Sequence, residues 1–134
     1  MASAKTRSIV QWGLAILLGL FFLMAASGKF RNMTQSGISY DDQFILWGYP
    51  PWARFVVGTA EAVGAILVFL PRTRFYGAAL ITALMAGAIP THLRVGETME
   101  AAFPAVFLVL AATLAWMTRP AWVRERLARR ANTA

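Results

Sequence analysis

Apolar residues in this chain do not alternate with polar ones. They run in four blocks, at residues 9–26, 52–70, 75–90 and 103–117, separated by short charged or Gly/Pro-containing segments. Runs such as AILLGLFFLMAA are apolar on every side of a helix and lack the period-two pattern of a strand, which argues against a transmembrane β-barrel. Each block is about long enough for a tilted helix across a hydrocarbon core of about 30 Å. The pattern therefore predicts an all-α, integral membrane bundle of four transmembrane helices at about 9–28, 52–70, 75–92 and 103–118. A basic tail over 119–134 completes the single domain.

The junctions differ in kind. PRTR is so short that the second and third helices must form an antiparallel hairpin, whereas residues 27–51 make a long connection rich in Gly, Ser, Asn and Asp, expected as a loop. Within it, FILWGYPPW places Trp47, Tyr49 and Trp52 where an aromatic belt meets the outer interface, and Pro50 and Pro51 suit the opening of the second helix. Asp41 and Asp42 read as solvated loop acids or a helix cap. The tail AWVRERLARR predicts a short amphipathic helix touching solvent and lipid through Trp122, Leu127 and its arginines. The first block has the marks of a signal peptide, with a basic start, an apolar centre and the small residues AAS; the expectation is an uncleaved first helix.

Composition changes the solvent assumed for these helices. Of 134 residues, 58% are hydrophobic and 14% charged, and the mean hydropathy is +0.55. Nine of the thirteen basic residues lie at the N-terminus (Lys5, Arg7), in PRTR (Arg72, Arg74) and in the tail (Arg119, Arg124, Arg126, Arg129, Arg130). That bias predicts both termini in the cytoplasm. The net charge of +7 sits beside the spans, where anionic lipid headgroups, not nucleic acid, are the expected partner. Cysteine is absent, which removes disulfides, thiol redox chemistry and thiolate-held iron–sulfur clusters.

One acid breaks the second block. Glu61 lies nine residues beyond Trp52, about 14 Å into a core of about 30 Å, where a carboxylate costs on the order of 3 kcal/mol to insert. Gly58, Gly64 and Ala65 lie three or four residues away on the same face, so Glu61 is expected to face the bundle. Ala79, Ala83 and Gly87 give the third helix a matching small-residue surface. Helix order gathers Lys29, His92 and Arg94 above Glu61 on the outer side, with Ser27 and Thr59 as lesser polar candidates. Glu61 and His92 are the acid–base candidates, and Lys29, Glu61, His92, Arg94, Tyr49 and Trp47 the ligand-binding candidates. Two ligands at different depths do not make a metal site, so no metal is expected.

In order and spacing, SGKF, then WGYPPW leading into VGTAEAVGAILVFLPRTR, then MAGAIPTHLRVGE resemble the DoxX-like family of small four-helix membrane proteins, over residues 9–117. The resemblance implies kinship with proteins of quinone-linked sulfur oxidation and with membrane partners of redox enzymes, and its pattern maps onto Lys29, Glu61 and His92. Three readings stay open. The chain is an accessory subunit binding a quinone or other lipophilic molecule beside a membrane redox partner or a second copy of itself. Alternatively it is a small enzyme using Glu61 and His92 on a lipophilic substrate, or a scaffold in which Glu61 sets helix register.

Overall fold

Side-chain caps start the first two helices of this chain, and the helix bounds depart from the apolar blocks. The computed structural model describes residues 3–134, with six helices and one hairpin in the order α1 (Ala4–Phe30), β1 (Thr34–Gln35), β2 (Ile38–Ser39), α2 (Tyr40–Leu46), α3 (Ala53–Phe69), α4 (Arg74–Arg94), α5 (Ala102–Thr118) and α6 (Ala121–Thr133). α1 begins ahead of its apolar block because the Ser3 hydroxyl accepts the Thr6 N–H at 3.2 Å, an N-cap. It ends at Phe30, and Asn32 beyond it, at a φ of 51°, turns the chain so that the Asn32 and Met33 amides donate back to the carbonyls of Lys29 and Gly28.

The segment expected as a long loop is instead ordered. Ser36 and Gly37 both take positive φ, as a two-residue hairpin turn requires, and pair Thr34 with Ser39 and Gln35 with Ile38. Ser39 then caps α2 by accepting the Asp42 N–H. At the opposite end of the molecule α3 and α4 are joined by residues 70–73. There Thr73 donates to the Leu67 carbonyl, and Arg74 donates to the carbonyls of Val68 at 2.7 Å and Phe69 at 3.3 Å. The last turn of α3 thus regains donors that its own helix cannot supply. Arg74 is almost fully buried, with its guanidinium 4.2 Å from the Trp12 ring.

α1, α3, α4 and α5 pack in a ring: α1 on α3, α3 on α4, α4 on α5, and α5 back on α1. Leu18 and Phe22 of α1, Val68 of α3, Ile81 of α4 and Leu114 of α5 form the centre, and Phe21 stacks on Phe107 at 4.1 Å. α3 and α4 approach each other closely through their backbones. A Cβ on Gly77 would stand 2.6 Å from the Gly64 carbonyl oxygen and 2.7 Å from the Val68 nitrogen. This corrects the expected small-residue surface. α4 buries Gly77, Ala78, Ile81 and Met85, while Ala83 and Gly87 are exposed and a Cβ on Gly87 would touch nothing within 4 Å. Both stripes have helical spacing, and only the larger apolar residues Ile81 and Met85 mark which one is inside.

The outside of the ring is apolar: Leu20, Val56, Phe103 and Val109 are each 58–68% exposed, and a bilayer is the solvent such a surface suits. α1 and α4 are long and apolar enough to cross a membrane. α5 and α6 meet the same criterion only as a pair, bent by 91°.

A candidate polar site at the α2 end of the bundle

Lys29 occupies the last turn of α1 and Glu61 the middle of α3, and both are buried. Lys29 Nζ lies 3.0 Å from each carboxylate oxygen. Its aligned hydrogen bond goes to Oε1, so Oε2 is held by charge and has no directed donor among the described residues. Gly58, one turn before Glu61, makes room: a Cβ there would stand 3.4 Å from the Lys29 Cβ and 3.3 Å from the Phe30 ring. From α2, the Tyr40 ring lies 5.0 Å from the Lys29 ammonium, a cation–π contact. Burial, and then the charge of Glu61, push the Tyr40 phenol above its ordinary pKa of 10.

Around this pair runs a collar that sequence reading missed. Arg54, in the first turn of α3, donates to the carbonyls of Lys29 and Phe30, closing the end of α1, and its Nε makes a 2.6 Å ion pair with Asp41. Asn32 holds Asp41 twice, through the Asp41 N–H at 2.8 Å and Oδ2 at 3.0 Å. Asp41 is therefore no free loop acid. It ties α2 to the ends of α1 and α3. Nothing local in YDDQ distinguishes Asp41 from Asp42, since the partner that does so is thirteen residues away. Thr59, one of the lesser polar candidates, is exposed and donates to the Phe55 carbonyl of its own helix.

His92 does not join Glu61 through any hydrogen bond or ion pair among the described residues. α4 ends at Arg94 with Val95 as its cap, and Gly96 follows at a φ of 82°, a left-handed conformation that glycine adopts without strain. The turn brings the Glu97 N–H onto the His92 carbonyl at 3.0 Å and the Glu97 carboxylate onto His92 Nδ1 at 2.6 Å. Trp47 Nε1 and Gln43 Nε2, both from α2 or its cap, donate to the same carboxylate at 2.9 Å. Burial raises the Glu97 pKa, but the bonds from Trp47, His92 and Gln43 and the charge of His92 outweigh it and hold the carboxyl below its ordinary value. Glu97 and Gln43 went unremarked in the sequence, although VGE after a helix end is the pattern of a left-handed cap that folds the next residue back.

The remaining candidates complete this second cluster. The Trp47 ring meets the His92 ring edge-on at 5.0 Å, and Arg94 donates to the Trp47 carbonyl and lies 5.5 Å from the Tyr49 ring. The Tyr49 hydroxyl shares a 3.1 Å hydrogen bond with Thr91. The six candidate residues thus divide into two groups clamped by α2, Lys29–Glu61 on one side and His92, Arg94, Trp47 and Tyr49 on the other. The first holds a buried donor and acceptor side by side. The second holds a carboxylate already saturated by three donors.

No curated protein and no solved structure matches the chain. A family model described as the DoxX-like family matches residues 13–114, from the first third of α1 to the core residue Leu114 of α5, and so takes in both polar groups and every helix of the ring. With well over half its length matched, the chain belongs to the DoxX-like family.

Proposed function

We propose that this protein is an accessory component of a redox-linked system of the inner membrane, which it spans four times with both termini in the cytoplasm, and that it binds a quinone-like or other lipophilic molecule at Lys29 and Glu61. One observation carries the reading. Among the described residues Glu61 Oε2 is buried without a directed donor, beside the Lys29 ammonium. A ring hydroxyl would donate to Oε2, and a ring carbonyl would accept from Lys29 Nζ, so the pair matches a polar head bearing either group in an apolar bundle. With no cysteine and one histidine, the chain has no iron–sulfur or bis-histidine haem ligand set, so electrons would reach the ligand from a partner protein. Four spans follow if α3 and α5, each 17 residues and about 25 Å long, cross beside α1 and α4.

A second reading has its own support. The Arg54–Asp41–Asn32 collar closes over a charge-balanced pair, as a structural lock between α1 and α3 would require. The acid–base reading has less, because Glu61 and His92 each bond a different partner. Lipid extraction and mass spectrometry of the purified protein separate these. A defined quinone-like molecule should accompany the wild type and be missing from Glu61→Gln. A wild-type protein carrying only bulk phospholipid overturns the ligand reading and leaves the lock.

A further inference from the structure

We propose that the angle between α5 and α6 is a binding site for one anionic phospholipid, with an acyl chain in an apolar groove and the phosphate on Arg119. Pro120 disfavours helical backbone at the residue before it, and Arg119 is accordingly extended at its ψ of 133°. The chain turns by 91° there, so α6 leaves the bundle sideways. Under the bend lies a groove of about 260 Å³, lined by Phe75 and Ala79 of α4, Ala112 and Trp116 of α5, Val123 of α6, and Arg119 itself. Thr82, also in its wall, adds little polarity because its hydroxyl donates to the Ala78 carbonyl at 2.7 Å.

Arg119 is half-buried and poorly satisfied for a cation. Its guanidinium rests 3.9 Å above the Trp116 ring and donates through Nη1 to the Trp116 carbonyl, while Nε is buried and has no acceptor. No carboxylate pairs with it among the described residues. α6 adds Arg124, Arg126, Arg129 and Arg130 against the single acid Glu125, and buries none of its residues. A buried donor and an unbalanced run of arginines ask for an anion. The adjoining groove asks for a hydrocarbon chain, which a soluble phosphate does not have. An anionic phospholipid is the ligand that meets both demands from within the bilayer. The proposal stands apart from the Lys29–Glu61 reading, which uses neither Arg119 nor the groove.

Native mass spectrometry of the delipidated full-length protein, incubated with phosphatidylglycerol or phosphatidylcholine of the same acyl chains, tests it. Phosphatidylglycerol should be retained in preference, inorganic phosphate in excess should not displace it, and Arg119→Gln should weaken retention about fivefold. Ala112→Phe, which fills the groove between the core positions Ala111 and Leu114, should also reduce retention while leaving the melting temperature unchanged. Equal retention of the two lipids, displacement by phosphate, or wild-type retention by Arg119→Gln would each overturn the site. Should Arg119→Gln also lower the melting temperature, Ala112→Phe decides, and undiminished retention there counts against the proposal.

Discussion

Lys29 Nζ stands 3.0 Å from both oxygens of Glu61, and this contact joins the last turn of α1 to the middle of α3 inside an apolar bundle. Neither charge has another oppositely charged partner among the described residues. The insertion cost of a mid-helix carboxylate is offset by pairing, and removal of either partner strands the other.

That relationship predicts a non-additive double-mutant cycle. Lys29→Met and Glu61→Met should each cost about 3–5 kcal/mol by leaving one buried charge, while the double variant should recover most of the loss. Reversible unfolding in mixed micelles provides the measurement. If the double variant is stable yet carries no lipophilic molecule that the wild type carries, the pair binds a ligand as well as locking helices. Additive losses in the cycle would mean that the two side chains do not act as a pair.

Two glycines of α4 should respond oppositely to the same change. Gly77→Ala puts a methyl against the backbone of α3, which cannot move aside as a side chain could, and should destabilise by about 1–3 kcal/mol. Gly87→Ala meets open space in a helical segment and should be neutral or stabilising by about 0.5–1 kcal/mol. Melting temperatures of the two variants in one detergent are sufficient, and equal effects would refute the assigned α3–α4 contact.

The Glu97 carboxyl gives the cap formed by α2 and the end of α4 a pH dependence of definite sign. Because its pKa is lowered in the folded protein, its contribution is present above the ordinary glutamate value of about 4.3 and fades as pH falls through the lower folded value. The difference in melting temperature between wild type and Glu97→Gln should therefore shrink as pH falls below about 4. Trp47, bonded to Glu97 at 2.9 Å, supplies a fluorescence signal for the same loosening. A gap that widens on acidification would reverse the assigned shift.

Reporter fusions check orientation. Insertions at Arg72 and fusions after Ala134 should report cytoplasm, and an insertion at the Ser36–Gly37 turn should report the opposite side. A cytoplasmic signal at Ser36 would place both polar groups on the inner face.

Much of this was legible in the chain because helices and apolar surface are local properties. Runs such as AILLGLFFLMAA determine helix and exterior alike, and Gly58, Gly64 and Ala65 around Glu61 mark a buried face by spacing alone, as the burial of all four shows. Choosing between two equally spaced stripes of α4 required the neighbour, since Gly77 and Gly87 are the same residue until α3 backbone lies against one of them.

The polar chemistry was decided almost wholly by tertiary structure. Residue types nominated Lys29, Glu61 and His92 together, but a cap at Gly96 turned His92 onto Glu97, and the hairpin after Asn32 carried Asp41 to Arg54. Ion pairs form between whichever opposite charges the backbone brings within about 4 Å, and a separation of thirteen or thirty-two residues in sequence holds no such distance. The sequence by itself determined that a charge in the second apolar block had to be met by a partner, and the packing of α1 on α3 decided that the partner is Lys29.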